Sequence, residues 1–305
     1  MELLNEKYRP KIFEDVKGQF FIEEIKRNVQ SKNIPHLLFY GSAGTGKTTT
    51  AYVIGKELFG ESFRSNFLEM NASDERGIDA IREKVKVFAR SQPLESNFKI
   101  IFLDEADYLT SVAQASLRRI MEQYSNSTRF ILSCNNVGSI IQPIRSRCKE
   151  YSFQKFNTET IKNTLVYICG KEGKNLPDNV LEKLAEQSKG DMRLAINQLQ
   201  SILLDGNIDI EKVRTESNDL CKDIVDVLFK KDFVQARKFI DGMLSNGWEA
   251  RGILERLRDY VIDSNFLNIE FKGKLLMEIM KADERLVLGV NSVLVFDGLV
   301  IYSTK

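Results

Sequence analysis

No apolar run in this 305-residue chain approaches the ~20 residues that a helix needs to cross a bilayer, so no membrane-spanning segment is expected. The opening residues "MELLNEKYRP" lack the basic start, long apolar middle and small-residue cleavage site of a secretory signal, and the protein is expected to work where it is made. Cysteine is sparse. Cys134, Cys148, Cys169 and Cys221 show no C-x-x-C spacing, which argues against a zinc knuckle or a redox pair; they read as small buried thiols in a reducing compartment. Charge of one sign is also lacking: 44 Lys and Arg stand against 43 Asp and Glu, so any nucleic-acid contact must come from a local stripe. There is no internal repeat and no low-complexity tract.

What is present suits a soluble chain of more than one domain, since domains typically hold ~50–250 residues. The first half alternates helical periodicity with short apolar runs: "HLLFYG" (His36 to Gly41), "NFLEMN" (Asn66 to Asn71), "KIIFLD" (Lys99 to Asp104), "RFILSCN" (Arg129 to Asn135) and "EYSF" (Glu150 to Phe153). Such runs between helices predict buried parallel strands of an α/β sheet. After Phe153 the pattern is helical, with helix starts at Asn157 and Asp178, a stop at Lys189-Gly190 and a restart at Asp191. The expected division is an α/β domain over residues 1–155, a small helical domain over 156–210 and a further helical domain over 211–305. In the last of these, Trp248, Leu254, Leu257, Val261 and Leu276 read as packing residues, either of an internal core or of an interface.

"GSAGTGKT", Gly41 to Thr48, is a complete G-x-x-x-x-G-K-[ST] between a strand-like run and a helical one. Its glycines let backbone N–H groups close around phosphate oxygens, Lys47 reaches the outer phosphates, and the Thr48 hydroxyl can ligate Mg²⁺. Nucleotide contacts are expected along Gly41, Gly44, Thr45, Gly46, Lys47, Thr48 and Thr49. The embedded Gly44 and Gly46 are not a dinucleotide fingerprint. "KIIFLDEAD" places Asp104 and Glu105 at the carboxyl edge of a strand, where α/β sheets hold their ligands. Asp104 would hold the metal, and Glu105 would orient and polarise the attacking water. An acidic pair here could also merely cap the next helix. Asn135, at the tip of another buried strand, could bond the γ-phosphate or the lytic water, or simply form a turn with Asn136.

In "GIDAIREKVKVFAR", Ile78, Ile81, Val85 and Phe88 form an apolar stripe, while Arg82, Lys86 and Arg90 recur every four residues on another face. This row could follow DNA phosphates, aided by free N–H groups at a helix start near Ser73, or be a solvated face. No stacking platform or recognition helix accompanies it, so such binding would be indifferent to base sequence. In "TSVAQASLRRIMEQY", Thr110 or Ser111 starts a helix that buries Ala113, Leu117, Ile120 or Met121, and Tyr124. Arg118 and Arg119 are surface or interface cations.

Taken in order, "EKYRPKIFEDVKGQ", "HLLFYGSAGTGKTTTA", "NASDERGID", "FLDEAD", "AQASLRRIMEQY", "FILSCN", "IRSRC" and "GDMRLAINQLQ" resemble the replication factor C small-subunit family, the AAA+ sliding-clamp loaders of archaea and eukaryotes. The motifs reach to about Gln200. Beyond that only length and helicity match. The resemblance implies an ATPase that uses ATP and Mg²⁺ to open a ring-shaped clamp and place it on primer–template DNA. Its partners would be a large subunit and further small-subunit copies in a five-membered arc, held together by a helical collar over residues 211–305. Tyr8, Arg9, Pro10 and Val16 would lie near the adenine, Arg193 would be the lid arginine on the γ-phosphate, Arg147 the arginine finger, and Ser111 a second DNA phosphate contact. An archaeal source, which is favoured, implies the cytoplasm; a eukaryotic one implies the nucleus. Ser42 and Ala43 stand where the family usually has two prolines, and Asn136 where an aromatic is common. Neither removes a phosphate ligand, so activity is expected. Two other readings are another AAA+ ATPase of DNA metabolism, such as an origin binder or branch-migration motor, and a non-catalytic scaffold subunit. The first usually carries a winged helix, of which the C-terminus gives no sign, and the intact Lys47, Asp104, Glu105 and Arg147 count against the second.

Overall fold

The five apolar runs pair as parallel strands in the computed structural model, which describes residues 2–73, 78–205, 216–245, 248–264 and 267–304. They are β1 (His36–Tyr40), β2 (Phe67–Asn71), β3 (Lys99–Asp104), β4 (Thr128–Cys134) and β5 (Cys148–Ser152), in the order β2-β3-β4-β1-β5. β5 opens at Cys148 rather than at Glu150, so Arg147 stands immediately before a strand. Parallel neighbours need crossover connections, and helices supply most of them. Ahead of the sheet lie α1 (Leu4–Lys7) and α2 (Ile22–Gln30). Then α3 (Lys47–Phe59) and α4 (Phe63–Asn66) join β1 to β2, α5 (Ile78–Arg90) joins β2 to β3, α6 (Ser111–Gln123) joins β3 to β4, and α7 (Gln142–Arg145) precedes β5.

Alternate strand residues face opposite sides of the sheet, and both sides are covered. On one, Leu38, Ile101, Leu103, Phe130 and Leu132 meet Val85 and Ala89 of α5 and Ala113, Leu117 and Met121 of α6. On the other, Leu37, Phe39, Ile100, Phe102 and Ile131 meet Ile25 of α2 and Ala51 and Ile54 of α3. This double coverage is why the strands read as continuous apolar runs. Phe39, Phe102 and Phe130 are fully buried, each contributing about 1.5–3 kcal/mol by area alone. In α6 both Ile120 and Met121 are buried, and the helix is capped by Thr110, whose Oγ1 accepts from the Ala113 N–H at 3.2 Å. In α5 Val85 is buried and Phe88 packs half-buried beside it; the side chains of Ile78 and Ile81 lie outside the described residues.

Three helices follow in the same compact unit, Met1–Ile208: α8 (Thr158–Lys171), α9 (Asp178–Gln187) and α10 (Met192–Asp205). Asn157 caps α8 by accepting from the Thr160 N–H at 2.7 Å. Asp178 is the first residue of α9 rather than its cap, the cap position being Pro177, and its carboxylate takes Lys162 at 2.7 Å. Lys189 and Gly190 turn the chain with φ of 48° and 91°, and Asp191 then accepts from the Leu194 N–H at 2.9 Å to start α10.

The second unit, Asp209–Lys305, is built by α11 (Glu216–Phe229), α12 (Phe233–Ser245), α13 (Ala250–Asp263), α14 (Ile269–Val287) and α15 (Ser292–Thr304). Leu254, Leu257 and Val261 are in its core, with Trp248 and Leu276 packed half-buried against it. Met277, Met280, Leu288 and Leu294 are exposed in this chain. Among the described residues no helix is long and apolar enough to cross a membrane. All four cysteines are free, and burial pushes the Cys134 and Cys148 thiols up to about 12, so both stay protonated and unreactive.

His36, at the start of β1, accepts the Phe130 N–H on Nδ1 at 3.1 Å, which requires a neutral ring protonated on Nε2. Burial, with Arg129 nearby, lowers its pKa to about 4. Below about pH 6.5 the unfolded chain takes up a proton that the folded chain refuses until about pH 4. Stability is therefore lost as pH falls through that window, by up to about 3 kcal/mol. His36→Asn, whose amide oxygen can accept the same N–H, should flatten the fall in urea midpoint between pH 7 and pH 4.5.

Candidate nucleotide-binding site

Because the strands are parallel, the carboxyl ends of β1, β3 and β4 meet at one edge, and the motif residues meet there with them. β1 delivers the chain into the loop at Gly41, and α3 begins at Lys47. Gly44 has φ +70°, and a Cβ there would lie 1.8 Å from Asp191 Oδ1. Only glycine fits a loop in that conformation with the start of α10 against it. The Met192 N–H donates to the Gly44 carbonyl at 3.2 Å, so the lid touches the loop directly.

Lys47 is buried, only 8% exposed. Its ammonium donates to the carbonyls of Gly41 (2.6 Å) and Ser42 (2.8 Å) and to Asn135 Oδ1 (3.1 Å). Burial pushes its pKa down, and Asp104, Cys134 and Asp107 oppose that shift. The Thr45 hydroxyl donates to the Ser42 carbonyl at 2.8 Å, leaving its N–H as the group it can offer to phosphate. Thr48 Oγ1 donates to Asp104 Oδ2 at 2.7 Å. Asp104 Oδ1 accepts from Ser133 Oγ at 2.6 Å and from the Glu105 N–H at 3.0 Å. One hydroxyl and one oriented carboxylate fit Mg²⁺, which takes few protein ligands and completes its shell with water and phosphate oxygens. Among the described residues no cluster of three His, Cys, Asp or Glu side chains could hold a metal on its own. Glu105 is half-buried and holds the left-handed backbone conformation, φ 54°, a strain of the kind found at functional turns.

The N-terminal segment reaches the same edge. The Tyr8 hydroxyl donates to Glu172 Oε1 at 2.5 Å with its ring edge-on to Tyr167, and Lys7 donates to the same oxygen at 2.6 Å. Arg9 donates to Thr49 Oγ1 at 3.4 Å and lies over the Tyr52 ring, 5.1 Å from its centroid. Pro10 is half-buried, and Val16 packs half-buried against the core on the α2 and α3 side of the sheet. Arg193 is exposed in the first turn of α10, next to the Met192 contact with the loop.

Arg147 is elsewhere. It donates to the Pro143 carbonyl at 2.7 Å and pairs with Glu122 at 2.5 Å; Glu150 is instead held by Arg145 through two bonds of 2.9 and 3.2 Å. Of the basic row, Lys86 and Arg90 are exposed on α5, and the side chain of Arg82 lies outside the described residues. The expected helix start near Ser73 also falls there: α5 is described from Ile78, and the Ser73 N–H donates to Asn71 Oδ1 at 2.9 Å within the turn after β2. Ser111 is exposed as the first residue of α6.

Several participants were not evident from spacing. Gln19 is buried; its Oε1 accepts the Gln154 N–H at 3.0 Å while Nε2 donates to the carbonyls of Gln154 (2.8 Å) and Thr45 (3.3 Å). Ser133, Asp191 and Glu172 likewise act on residues far away in sequence. Replacing Gly44 tests the loop–lid contact: Gly44→Ala should weaken nucleotide binding by roughly tenfold or more, the backbone strain alone costing ~1–2 kcal/mol. Asp191→Ala in the same chain should recover part of the loss, as read by titration of a fluorescent nucleotide.

The chain matches three family models: the ATPase family associated with various cellular activities (AAA) over residues 37–155, the RCF1/5-like AAA+ ATPase lid domain over 163–204, and the replication factor C C-terminal domain over 216–302. It is 43% identical to the replication factor C small subunit of Archaeoglobus fulgidus, over 99% of this chain and 97% of that one. Identity to the Thermoplasma acidophilum small subunit is 41%, over 98% and 96%, and to replication factor C subunit 2 of Saccharomyces cerevisiae 39%, over 94% and 88%. Among solved structures, the Thermotoga maritima RuvB Holliday junction branch migration motor superposes with a TM-score of 0.61 at 18% identity, covering 86% of this chain and 92% of that one; this likeness bears on the fold alone. With an AAA+ nucleotide site, a matching lid and near-full-length identity, the chain belongs to the replication factor C small-subunit family.

Proposed function

We propose that this chain is the ATP-hydrolysing small subunit of a sliding-clamp loader, acting with a large subunit and further copies of itself in a five-membered arc. In this reading it opens a ring-shaped clamp and places it on primer–template DNA, in the cytoplasm of an archaeal cell. Residues 1–155 form the ATPase domain, 156–210 the lid and 211–305 the collar that joins subunits. The exposed apolar residues of α14 and α15 suit that last role.

Within one chain, Lys47 and the loop N–H groups bind the triphosphate, and the N-terminal Tyr8-Arg9-Pro10 segment with Val16 borders the base. Thr48 and Asp104 would hold Mg²⁺, which would supply neutralisation of charge on the outer phosphates. Glu105 polarises the attacking water, Asn135 meets the γ-phosphate beside Lys47, and Arg193 approaches from the lid. On DNA, Arg82, Lys86 and Arg90, with Ser73 and Ser111, follow backbone phosphates, so affinity falls steeply with salt.

The observation that carries the division of labour between subunits is the position of Arg147. It precedes Cys148, which pairs with His36 at the amino end of β1, whereas the phosphate loop leaves the carboxyl end of β1 after Tyr40. Five residues at ~3.3 Å each put about 16 Å of strand between them, farther than an arginine side chain extends. Arg147 cannot serve its own nucleotide. A neighbouring copy's γ-phosphate is the anion it suits, where a guanidinium supplied in trans neutralises the transferring group.

Lys47→Ala should weaken ATP binding roughly 100-fold or more, whereas Glu105→Gln should spare binding and cut turnover by on the order of 10²–10⁴-fold. Equilibrium binding with single-turnover kinetics of the assembled complex separates the two. Normal turnover by Glu105→Gln would remove that residue from the mechanism.

Arg147→Ala should leave ATP binding by the isolated chain intact and strongly reduce hydrolysis in the complex. Mixing Arg147→Ala and Lys47→Ala subunits at defined positions decides the matter. Turnover should return at an interface where an intact Arg147 faces a neighbour's intact Lys47. Recovery only when both lie in one chain would refute action in trans.

A further inference from the structure

Asp107, the last carboxylate of "DEAD", is used by neither the metal pair nor the water-polarising role. It lies in a single 3-10 turn, Ala106–Tyr108, directly after the left-handed Glu105. That turn carries the chain back over the end of the adjacent strand β4. There Asp107 Oδ2 accepts two successive backbone N–H groups, those of Asn135 at 3.1 Å and Asn136 at 3.2 Å. β4 ends at Cys134, so these two N–H groups have passed beyond the sheet ladder and the carboxylate takes its place. Asn135 in turn places its side-chain oxygen 3.1 Å from Lys47.

We infer that Asp107 is a positioning residue: it fixes the backbone of Asn135, and through it the distance between the Asn135 amide, the phosphate-binding Lys47 and the water-polarising Glu105. The inference rests on the reading of Asn135 as a γ-phosphate contact. Three features support it. A single carboxylate oxygen gathering consecutive N–H groups restrains their peptide in position and in orientation, more than one bond would. The turn that carries Asp107 is also the turn that carries Glu105, so the two catalytic groups from neighbouring strands are tied by one side chain. Finally, Asp107 Oδ1 is buried and has no hydrogen-bond partner. An unpartnered buried carboxylate oxygen destabilises the fold, so packing alone does not account for an aspartate here. Its negative charge lies close enough to Lys47 to support the ammonium.

Misplacement of a catalytic group by about 1 Å can cost on the order of 10²-fold in rate. Asp107→Ala should therefore lower kcat of the assembled complex by roughly 10- to 100-fold, with ATP affinity changed less than about threefold, a split between KM and kcat that general destabilisation would not give. Because Asn135 discriminates on the γ-phosphate, the ratio of ATP to ADP affinity should also fall. Asp107→Asn keeps an oxygen able to accept both N–H groups and should recover most of kcat. The decisive measurement is the double variant: with Asn135→Ala already present, Asp107→Ala should reduce kcat no further. A full multiplicative loss in the double variant would overturn the inference, as would an Asp107→Ala chain with normal kcat beside an impaired Asn135→Ala. If Asn135→Ala itself turns over normally, the reading of Asn135 falls and this inference with it. Parallel losses of thermal stability, ATP affinity and kcat in both Asp107 variants would assign the residue to folding instead.

Discussion

A parallel sheet has only one edge at which its strands end, and the chemistry of this protein depends on that constraint. Gly41, Asp104 and Asn135 are spread over ninety-odd positions, yet each follows or closes a strand running the same way. The buried ammonium of Lys47 joins them. Burying a cation is costly unless its hydrogens are satisfied, and here two loop carbonyls and the Asn135 amide satisfy them. The same constraint sends residues at strand starts, His36 and Arg147 among them, to the far edge. Arg147 and the phosphate loop are therefore kept apart by the length of one strand.

The N-terminal segment links the ATPase body to the lid. The Leu4 N–H donates to Gln200 at 2.9 Å, and Lys7 and Tyr8 converge on Glu172. Only a few residues later, Arg9 meets Thr49 and Tyr52, and Gln19 meets the loop. Each contact is modest, since exposed polar pairs compete with water and are screened by salt. Their value lies in geometry. Within this segment the change from contacts on the lid to contacts on the sheet side falls between Tyr8 and Arg9, in the stretch that borders the proposed base site.

How much of this could be read from the sequence depends on the range of the interaction. The strands were legible because both faces of the sheet are buried, and the phosphate loop because its ligands are contiguous. Asp104 and Glu105 follow from their place at the end of an apolar run. Gln19, Glu172, Asp191 and Asp107 were not legible as partners, because each acts on residues brought near only by the fold: Gln19 on Gln154, Glu172 on Tyr8, Asp191 on Gly44. Arg145 and Arg147 show the limit most clearly. They are two residues apart with one carboxylate, Glu150, close in sequence. The end of a short helix decides that Arg145 takes it, while Arg147 turns to α6.

In the proposed arc, the pairing of Arg147 would also bear on how copies of this chain meet. Glu122 is shared by two guanidinium groups, Arg147 at 2.5 Å and Arg118 at 3.7 Å, so the cluster carries one net positive charge where two separate cations would carry two. The field that it projects toward a distant polyanionic pocket is correspondingly weaker, and at physiological salt it fades within about 8 Å. With the whole chain at a net charge of only +1, net charge would add little long-range attraction to an encounter between two copies. The rate of such encounters would then be set by diffusion and by shape, with charge coming into play only once the surfaces touch.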